Sequence, residues 1–313
     1  MITVTQMQYA IAVLKNKSFS AAAKYCNVSQ PTLSQQIAKM EDILGCVVFD
    51  RNLQPTEPTS LGLNLIRQMI YIMEQMDQLK SLAQHPDSLV GLLKIAIIPT
   101  LSVSLLPYLI PLLQSKTPGI RFEIEELQTQ HIVERLLNET LDAAICVTPL
   151  EVSSLHSEVL FYEPLWVCAH PQHPLATLTQ CSQDHLSAEG LWLLQEGHCL
   201  RGQMLNLCKI SQYSKLRDPQ NVHLDVGNLA CLGALVEKSG GYTILPQLSL
   251  PSAPSNVKLL PFEAPIPCRE VSFVSARPKK KKHLFDAFLV AVHESLPQDI
   301  LNFDKSGVKI IPL

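Results

Sequence analysis

The sequence predicts an α/β protein with an all-α segment at its N-terminus. Three patterns in the 313 residues support this prediction. Apolar residues recur at helical spacing through about the first 40 residues, and one long helix with a heptad pattern follows. Beyond Leu89, apolar strands alternate with amphipathic helices. Such alternation is typical of a sheet with helices packed on its faces.

The composition is that of a soluble globular protein, with 47% hydrophobic residues, 17% charged residues and a formal net charge of −3. The first residues lack the layout of a signal peptide, and no apolar run is long enough to span a bilayer. We therefore expect a cytoplasmic protein without membrane contact. In a reducing compartment most of its nine cysteines should be buried small hydrophobes, and any disulfide should be conditional. Cys26, Cys146, Cys168 and Cys231 lie in apolar runs that fit this interpretation.

Three helices are predicted before residue 45. Residues 4–16 have helical apolar spacing, and Ser18 can cap the helix that follows. Ser29 can cap a third helix that has Pro31 in its first turn, where a missing N–H does no harm. Inward positions of this helix are Leu33, Ile37 and Met40, and its outward positions are Gln30, Thr32, Ser34, Gln35 and Lys39.

Hydroxyls and amides near the start of a helix suit the major groove of DNA. An ordinary exposed helix has a polar outer face too, and the small charge excess of this segment does not decide between the two interpretations. Because phosphate contacts supply much of the affinity for DNA, one such domain would bind weakly and would need dimerisation.

From Gly62 to about Ala83 the pattern predicts a helix with an a/d seam of almost three heptads, suited to a dimeric coiled coil. The seam residues are Leu65, Met69, Ile72, Met76, Leu79 and Ala83. A helix buried against its own domain is the alternative. His85–Ser88 is predicted to end the helix as a hinge.

The rest of the chain has two runs of strands and helices. The first run predicts strands at 93–98, 121–127 and 141–147, with helices at 105–113 and 132–137. Thr100 and Thr129 follow the first two strands, at the edge where ligands gather in such sheets. Each threonine could instead cap a helix, and the two roles are compatible.

A second run begins at residues 165–169, and the strand 271–274 is expected to return the chain to the first lobe. The lysine run Lys279–Lys282 precedes a helix at 284–296, and we interpret it as a solvated helix start rather than a DNA contact. His170 and His173 lack the further ligands that a tetrahedral metal site needs, so we expect no metal and no cofactor.

Cys199 and Cys208 are the residues most indicative of chemistry. Gly197 and His198 precede Cys199, and Arg201 follows it by two positions. A nearby cation favours the reactive thiolate, and a second cysteine within reach can convert a sulfenic acid to a disulfide. These residues predict a redox switch with a flexible stretch between its thiols. Two buried cysteines that happen to lie nine positions apart are the alternative.

Three motifs resemble the N-terminal winged helix-turn-helix of LysR-type transcriptional regulators. They are Ser18-Phe19-Ser20-x-Ala22-Ala23, Val28-Ser29-Gln30-Pro31-Thr32-Leu33-Ser34-x-x-Ile37 and Met40-Glu41-x-x-Leu44-Gly45. The resemblance implies that the helix from Ser29 enters the major groove and that residues 47–59 form the wing. The implied DNA-contacting residues are Ser29, Gln30, Pro31, Thr32, Ser34, Gln35, Lys39, Arg51 and Thr59. Here Asp50 and Glu57 make the wing unusually acidic.

The resemblance extends over the whole chain and implies its organisation. A winged helix-turn-helix domain should span 1–61, and a dimerising linker helix with a hinge should span 62–88. A two-lobed effector domain, similar to periplasmic binding proteins, should span 89–313. Its lobe I should comprise about 89–163 and 268–313, and its lobe II about 164–267. The implied partners are double-stranded promoter DNA, RNA polymerase and further copies of the chain in a homodimer or homotetramer.

Gly197-His198-Cys199-Leu200-Arg201 and Cys208, with Ile98-Pro99-Thr100 and Gln128-Thr129, resemble the peroxide-sensing members of this family, which mainly activate oxidative-stress genes. The implied signal is hydrogen peroxide, which oxidises Cys199 to a sulfenic acid that Cys208 resolves as a disulfide. By the same resemblance Thr100, Thr129 and His198 hold peroxide or position the thiol, and Arg269 adds a basic neighbour.

Gly202 departs from the motif, which often has an acidic residue there. We hypothesise that this change frees Arg201 to favour the Cys199 thiolate and eases rearrangement, so that the sensor is easily oxidised. Two other functions stay open. One is a LysR-type regulator with a small organic effector in the Thr100/Thr129 cleft, and the other is a thiol peroxidase, which the DNA-binding segment disfavours.

Overall fold

A computed structural model describes residues 1–51, 53–84, 89–210, 226–278, 280–303 and 306–312. The chain divides into two compact units, Met1–Leu92 and Leu93–Leu313. The predicted hinge at His85–Ser88 lies outside the described residues. Within the described ranges, no helix is long and apolar enough to cross a membrane.

The first unit contains the predicted helices and hairpin. Its elements are α1 (Val4–Asn16), α2 (Phe19–Tyr25), α3 (Gln30–Leu44), the antiparallel pair β1 (Phe49–Asp50) and β2 (Glu57–Pro58), and α4 (Ser60–Gln84). The predicted caps are confirmed, because the Ser18 hydroxyl accepts from the Ala21 N–H and the Ser29 hydroxyl from the Thr32 N–H. The predicted inward positions of α3 are all buried in the core of this unit.

The long helix α4 packs part of its apolar seam against its own domain and leaves the rest of the seam exposed. Met69, one of the seam residues, is buried in the core of the first unit together with Ile66. Further along, Ile72, Met76 and Leu79 are 45%, 37% and 69% exposed in the single chain. The first turns therefore pack against their own domain, and the later turns leave an apolar stripe whose pairing with a second chain stays a prediction.

The remaining strands form one mixed sheet of eight strands. They are β3 (Gly91–Ile97), β4 (Ile120–Glu126), β5 (Ala143–Thr148), β6 (His156–Ala169), β7 (Tyr242–Pro246), β8 (Lys258–Pro261), β9 (Ile266–Ser275) and β10 (Val308–Ile310). The order is β4-β3-β5-β9-β6-β7, with β10 beside β9 and β8 beside β6. The helices are α5 (Pro99–Lys116), α6 (Thr129–Leu137), α7 (Cys199–Leu207), α8 (Leu229–Ser239), α9 (Lys282–Ser295) and α10 (Gln298–Leu301).

Two long antiparallel strands, β6 and β9, run through both lobes. Their pairing extends from His156 opposite Ser275 to Pro164 opposite Cys268. Since residues 270–275 of β9 pair with β5, the prediction that residues 271–274 return the chain to the first lobe is confirmed. The predicted strand at 165–169 is the end of β6, which begins 9 residues earlier at His156.

Two separate hydrophobic cores lie on either side of this crossing. The first core is built around β3, β5, α5 and α9. The second core is built around the end of β6 with β7, α7 and α8. This two-lobed α/β arrangement is the one that the sequence predicts.

The lysine run differs from the predicted solvated helix start. Lys281 is buried and its ammonium lies 2.8 Å from the Asp142 carboxylate. Lys282 pairs with Asp286 at 3.1 Å one helical turn away, and Lys280 lies 3.8 Å from Glu139. Lys281 therefore holds the start of α9 against Asp142, and the predicted solvation is wrong for this residue, whereas Lys280 and Lys282 are exposed as predicted.

Candidate functional site

Cys199 is the first residue of α7, and the residues before it fix this start. Gly197 has a φ of 90°, in the left-handed range that favours glycine. A Cβ atom at Gly197 would lie 2.5 Å from Oε1 of Gln128, so the glycine also permits close contact between this turn and the residue that precedes α6. His198 is the N-cap residue, without a side-chain capping bond.

The Cys199 side chain packs against the first core, although α7 belongs to the second. Burial raises the pKa of the Cys199 thiol, and this effect prevails. The charge of Arg269, the Thr129 hydroxyl and the backbone N–H groups of Leu200 and Cys199 act in the opposite direction and lower the pKa. Burial thus opposes the activation of the thiol that the sequence predicts, and Arg269 and Thr129 favour it.

Thr129 is the first residue of α6, and its hydroxyl points into the site. The hydroxyl is buried and has no hydrogen-bond partner of ordinary geometry among the described residues. It lies close enough to Cys199 to stabilise the thiolate. A buried hydroxyl with spare hydrogen-bonding capacity beside a thiol is suited to holding a small polar oxygen species.

Arg269 on β9 is fully buried and ties the site together. Its Nη1 donates to the Thr100 hydroxyl at 2.8 Å, and Nη2 donates to the Thr100 carbonyl oxygen at 3.3 Å. Its Nε donates to Oε2 of Glu163 at 2.8 Å, and Nη2 lies 2.7 Å from the same oxygen. The other Glu163 oxygen accepts from the Leu248 N–H at 2.9 Å. The carboxylate and the guanidinium thus satisfy each other in a dry environment.

The structure corrects the expected capping by the two threonines and identifies the cation near the thiol. Neither threonine is an N-cap, because Ile98 and Gln128 occupy the capping positions of α5 and α6. The Arg201 guanidinium donates to the Leu194 carbonyl oxygen at 2.6 Å, and the cation that lowers the pKa of the Cys199 thiol is Arg269. Arg269 is the basic neighbour that the family resemblance implied.

His198 is 8% exposed at the start of α7. Burial lowers the pKa of its imidazole, and the nearby Glu126 carboxylate opposes this shift. A neutral imidazole can both donate and accept a hydrogen bond, which fits the predicted role in positioning peroxide or water. Among the described residues no group of three or more candidate ligands could hold a metal ion.

Cys208 lies at the opposite end of α7, in the second core. It is the C-cap residue, and its sulfur lies 3.7 Å from the Tyr242 hydroxyl. Burial raises the pKa of its thiol, whereas the Tyr242 hydroxyl lowers it. Cys181 lies in the same core, where burial and the proximity of Cys208 raise its pKa to about 11. Cys208, the predicted resolving thiol, is thus buried in the core of lobe II.

The stretch between the two cysteines is a helix, not the flexible segment that the sequence suggested. Nine residues at about 1.5 Å per residue place the Cα atoms of Cys199 and Cys208 about 14 Å apart. A disulfide needs a Cα separation below about 7 Å. All nine cysteines are accordingly free thiols in this structure.

The other cysteines partly follow the sequence expectation. Cys146 and Cys168 are fully buried, and burial raises the pKa of each to about 12. Cys26 is half-buried and Cys231 is exposed, so the expectation of a buried thiol at Cys231 is wrong.

The first unit presents the predicted DNA-contacting side chains on one surface. Six of them are exposed along α3 and its cap: Ser29, Gln30, Pro31, Thr32, Gln35 and Lys39. Ser34 is half-buried and accepts from Arg51, which also pairs with Glu41 at 2.9 Å and lies over the Phe19 ring. Thr59 caps α4 by accepting from the Gly62 N–H at 2.9 Å. Arg51 and Thr59 therefore have structural contacts, whatever they do with DNA.

Sequence reasoning missed Glu163 as a part of the site, and it named Gln128 only as a member of a motif, without a role for its side chain. A signal for Glu163 was present, because it is a carboxylate within the apolar run of β6, and a buried charge needs a partner. Gln128 had no comparable signal, since its contact with Gly197 depends on the tertiary fold.

Family models match both parts of the chain. The lysR-family model of bacterial regulatory helix-turn-helix proteins matches residues 4–63, and the LysR substrate binding domain matches residues 86–297. The chain belongs to the LysR family of transcription regulators.

Within this family the chain is similar to proteins named for hydrogen peroxide. It is 31% identical to the hydrogen peroxide-inducible genes activator of Haemophilus influenzae, over 87% of this chain and 90% of that protein. It is also 31% identical to the DNA-binding transcriptional dual regulator OxyR of Escherichia coli K12, over 87% and 89%. The full-length OxyR C199D structure from Pseudomonas aeruginosa superposes with a TM-score of 0.69, at 28% identity over 94% of this chain and 98% of that one.

Proposed function

We propose that this protein is a peroxide-responsive transcription regulator switched by a disulfide between Cys199 and Cys208. The observation that carries the proposal is the placement of the two thiols at opposite ends of α7, one against each core. A bond between them cannot form without a change of the helix, and this change is the signal.

The chemistry requires two steps. The Cys199 thiolate attacks one peroxide oxygen, the O–O bond breaks, and the thiol becomes a sulfenic acid while water leaves after protonation. The Cys208 thiolate then attacks the sulfenic sulfur and releases a second water. The sulfur pair loses two electrons, and the peroxide gains them.

The residues around Cys199 fit the first step. Thr129 offers a buried hydroxyl, and the neutral imidazole of His198 can accept or donate a proton. Arg269 stabilises the anionic thiolate, and its bond to Thr100 fixes the guanidinium. Because that hydroxyl accepts from Arg269, we propose that Thr100 acts through the arginine as well as on peroxide.

The second step requires α7 to unwind. The two Cα atoms must approach from about 14 Å to less than about 7 Å. Cys208 then leaves its contact with Tyr242, and the turn at Gly197 loses its fixed relation to Cys199. A rearrangement between two packed cores is of the kind that repacks subunit interfaces.

The readout is a change in DNA binding by a pair or tetramer of chains. We propose that α3 enters the major groove and that the exposed apolar stripe of α4 pairs two DNA-binding domains. The proposed organisation is a DNA-binding domain at 1–61, a linker at 62–88 and a sensing domain at 89–313. Contact with RNA polymerase would complete the activation of oxidative-stress genes.

The test is transcription from a target promoter with purified protein, RNA polymerase and peroxide. The variant Cys199→Ser should abolish the peroxide response, because the hydroxyl cannot form a sulfenic acid. Cys231→Ser is the matched control, since this thiol is exposed on α8, and it should respond like wild type. A full response of Cys199→Ser would overturn the proposal and favour an organic effector.

A further inference from the structure

The ion pair between Glu163 and Arg269 links the neighbouring strands β6 and β9. Glu163 lies on β6 next to Pro164, where the pairing of β6 with β9 ends, and both side chains are 0% exposed. One carboxylate oxygen receives two contacts from the guanidinium, at 2.7 and 2.8 Å, and the other accepts from the Leu248 N–H. Both oxygens of this carboxylate therefore have a hydrogen-bond partner, and its charge is paired with Arg269.

We infer that Glu163 is a positioning residue that holds the Arg269 guanidinium beside the Cys199 thiol and cancels part of its charge. The inference rests on the proposed role of Cys199 as the reacting thiol. The guanidinium has a bond to Thr100 on one side and the carboxylate on the other, so its location is set from both. Without the Glu163 carboxylate, no neighbouring negative charge would offset the effect of the Arg269 guanidinium on the thiol.

The groups that face Cys199 support this assignment. Arg269 from β9 is the cation that acts on the thiol, and Thr129 from α6 is the neutral hydrogen-bonding group. Cys146 from β5 is a second thiol nearby, and burial raises its pKa to about 12, so that it adds no charge at neutral pH. On α7 itself, neutral His198 faces Glu126 from the end of β4. Arg269 is thus the group through which Glu163 can act.

The pairing explains how a buried arginine can lie beside a thiol whose pKa is raised. A lone buried guanidinium would strongly favour the thiolate, whereas a paired one has a much weaker field at a distance. Partial cancellation acts in the same direction as burial, which raises the pKa of the thiol and favours its neutral form. It leaves enough positive charge to stabilise the thiolate once peroxide is bound.

The test measures the alkylation of Cys199 by iodoacetamide as a function of pH, in the full-length reduced protein, with mass spectrometry to locate the label. Glu163→Gln keeps the size of the side chain and removes the charge. We expect its Cys199 profile to move to lower pH by about one unit, which makes alkylation at pH 7 about tenfold faster. This readout reports the thiol itself and needs neither peroxide nor DNA.

Glu270→Gln is the matched control. Glu270 neighbours Arg269 on β9, but its carboxylate accepts from the hydroxyls of Thr148 and Tyr162 at 2.6 and 3.0 Å. The pH profile of Cys199 alkylation in Glu270→Gln should match that in wild type. An unchanged or slower profile in Glu163→Gln, or an equal acceleration in Glu270→Gln, would overturn the inference.

A second variant covers the case in which Glu163→Gln does not fold. Glu163→Asp keeps the charge but withdraws it by one methylene, so the guanidinium should follow it away from the thiol and slow alkylation at pH 7. A profile identical to that of wild type would overturn the positioning role. If Cys199→Ser keeps its peroxide response while these profiles shift, the proposed function fails and the assignment of Glu163 stands.

Discussion

Replacing Gly202 with alanine should make the Cys199–Cys208 disulfide harder to form. Gly202 is the fourth residue of α7, which is intact in the reduced protein. Alanine favours a helix over glycine by about 1 kcal/mol. Because the bond requires the helix to unwind, this free energy stabilises the reduced state and is lost in the oxidised state.

The magnitude follows from that difference. A free energy of about 1 kcal/mol changes the equilibrium constant for disulfide formation about fivefold, which corresponds to a reduction potential about 20 mV more positive. The potential can be measured by equilibrating the protein with glutathione buffers and quantifying the linked peptide. The structure also revises the hypothesis about Gly202: Arg201 bonds to Leu194, so glycine should ease oxidation through the helix and not through the arginine.

Ala234→Gly is the matched control for Gly202→Ala. Ala234 is exposed in the middle of α8 in lobe II. Replacing it with glycine should destabilise α8 by about the amount by which alanine stabilises α7, and it leaves α7 unchanged. It should destabilise the protein and leave the potential unchanged. An unchanged potential in Gly202→Ala, or an equal shift in Ala234→Gly, would refute the requirement for unwinding.

Three further predictions concern the environment of the thiols. Arg269→Gln removes the charge that lowers the pKa of Cys199, so peroxide oxidation at pH 7 should slow by about tenfold or more in stopped-flow measurements. Gly197→Ala should lower the free energy of unfolding by about 2 kcal/mol more than Gly240→Ala in urea titrations. Both glycines have positive φ, but only the first lacks space for a Cβ atom. Burial raises the pKa of Cys168 to about 12, so the unfolded state loses this proton first as the pH rises above about 9. Above about pH 9, the free energy of unfolding of wild type should therefore fall, relative to that of Cys168→Ala, by up to about 1.4 kcal/mol per pH unit. Parallel curves of unfolding free energy against pH for the two proteins would contradict the raised pKa of Cys168.

The N-terminal unit was predictable because its signals are local. Ser18 and Ser29 cap helices within three residues of themselves, and the inward positions of α3 follow helical spacing. The full length of β6 was not predictable, since its first four residues are exposed and the first three are polar. They form a strand because β9 pairs with them from more than 100 residues away.

Two kinds of signal predicted residues of the candidate site, the pattern around the two cysteines and the ends of strands. Thr100 and Thr129 follow β3 and β4, and the sequence placed both at the same edge of the sheet. The sequence favoured Arg201 as the cation near the thiol, whereas two positions along a helix turn a side chain by about 200°, to the opposite face from Cys199. The helix itself had a signal, since Leu200, Met204 and Leu207 recur at helical spacing and are buried.

The central claim is that peroxide links Cys199 to Cys208 and thereby unwinds α7. The most direct test combines peptide mapping with amide hydrogen exchange on the full-length protein, before and after one equivalent of hydrogen peroxide. The account predicts a 199–208 linkage together with fast exchange of the amides in residues 203–207, which the intact helix should protect in the reduced protein. A linkage with undiminished protection of α7, or rapid oxidation of Cys199 without this linkage, would contradict it.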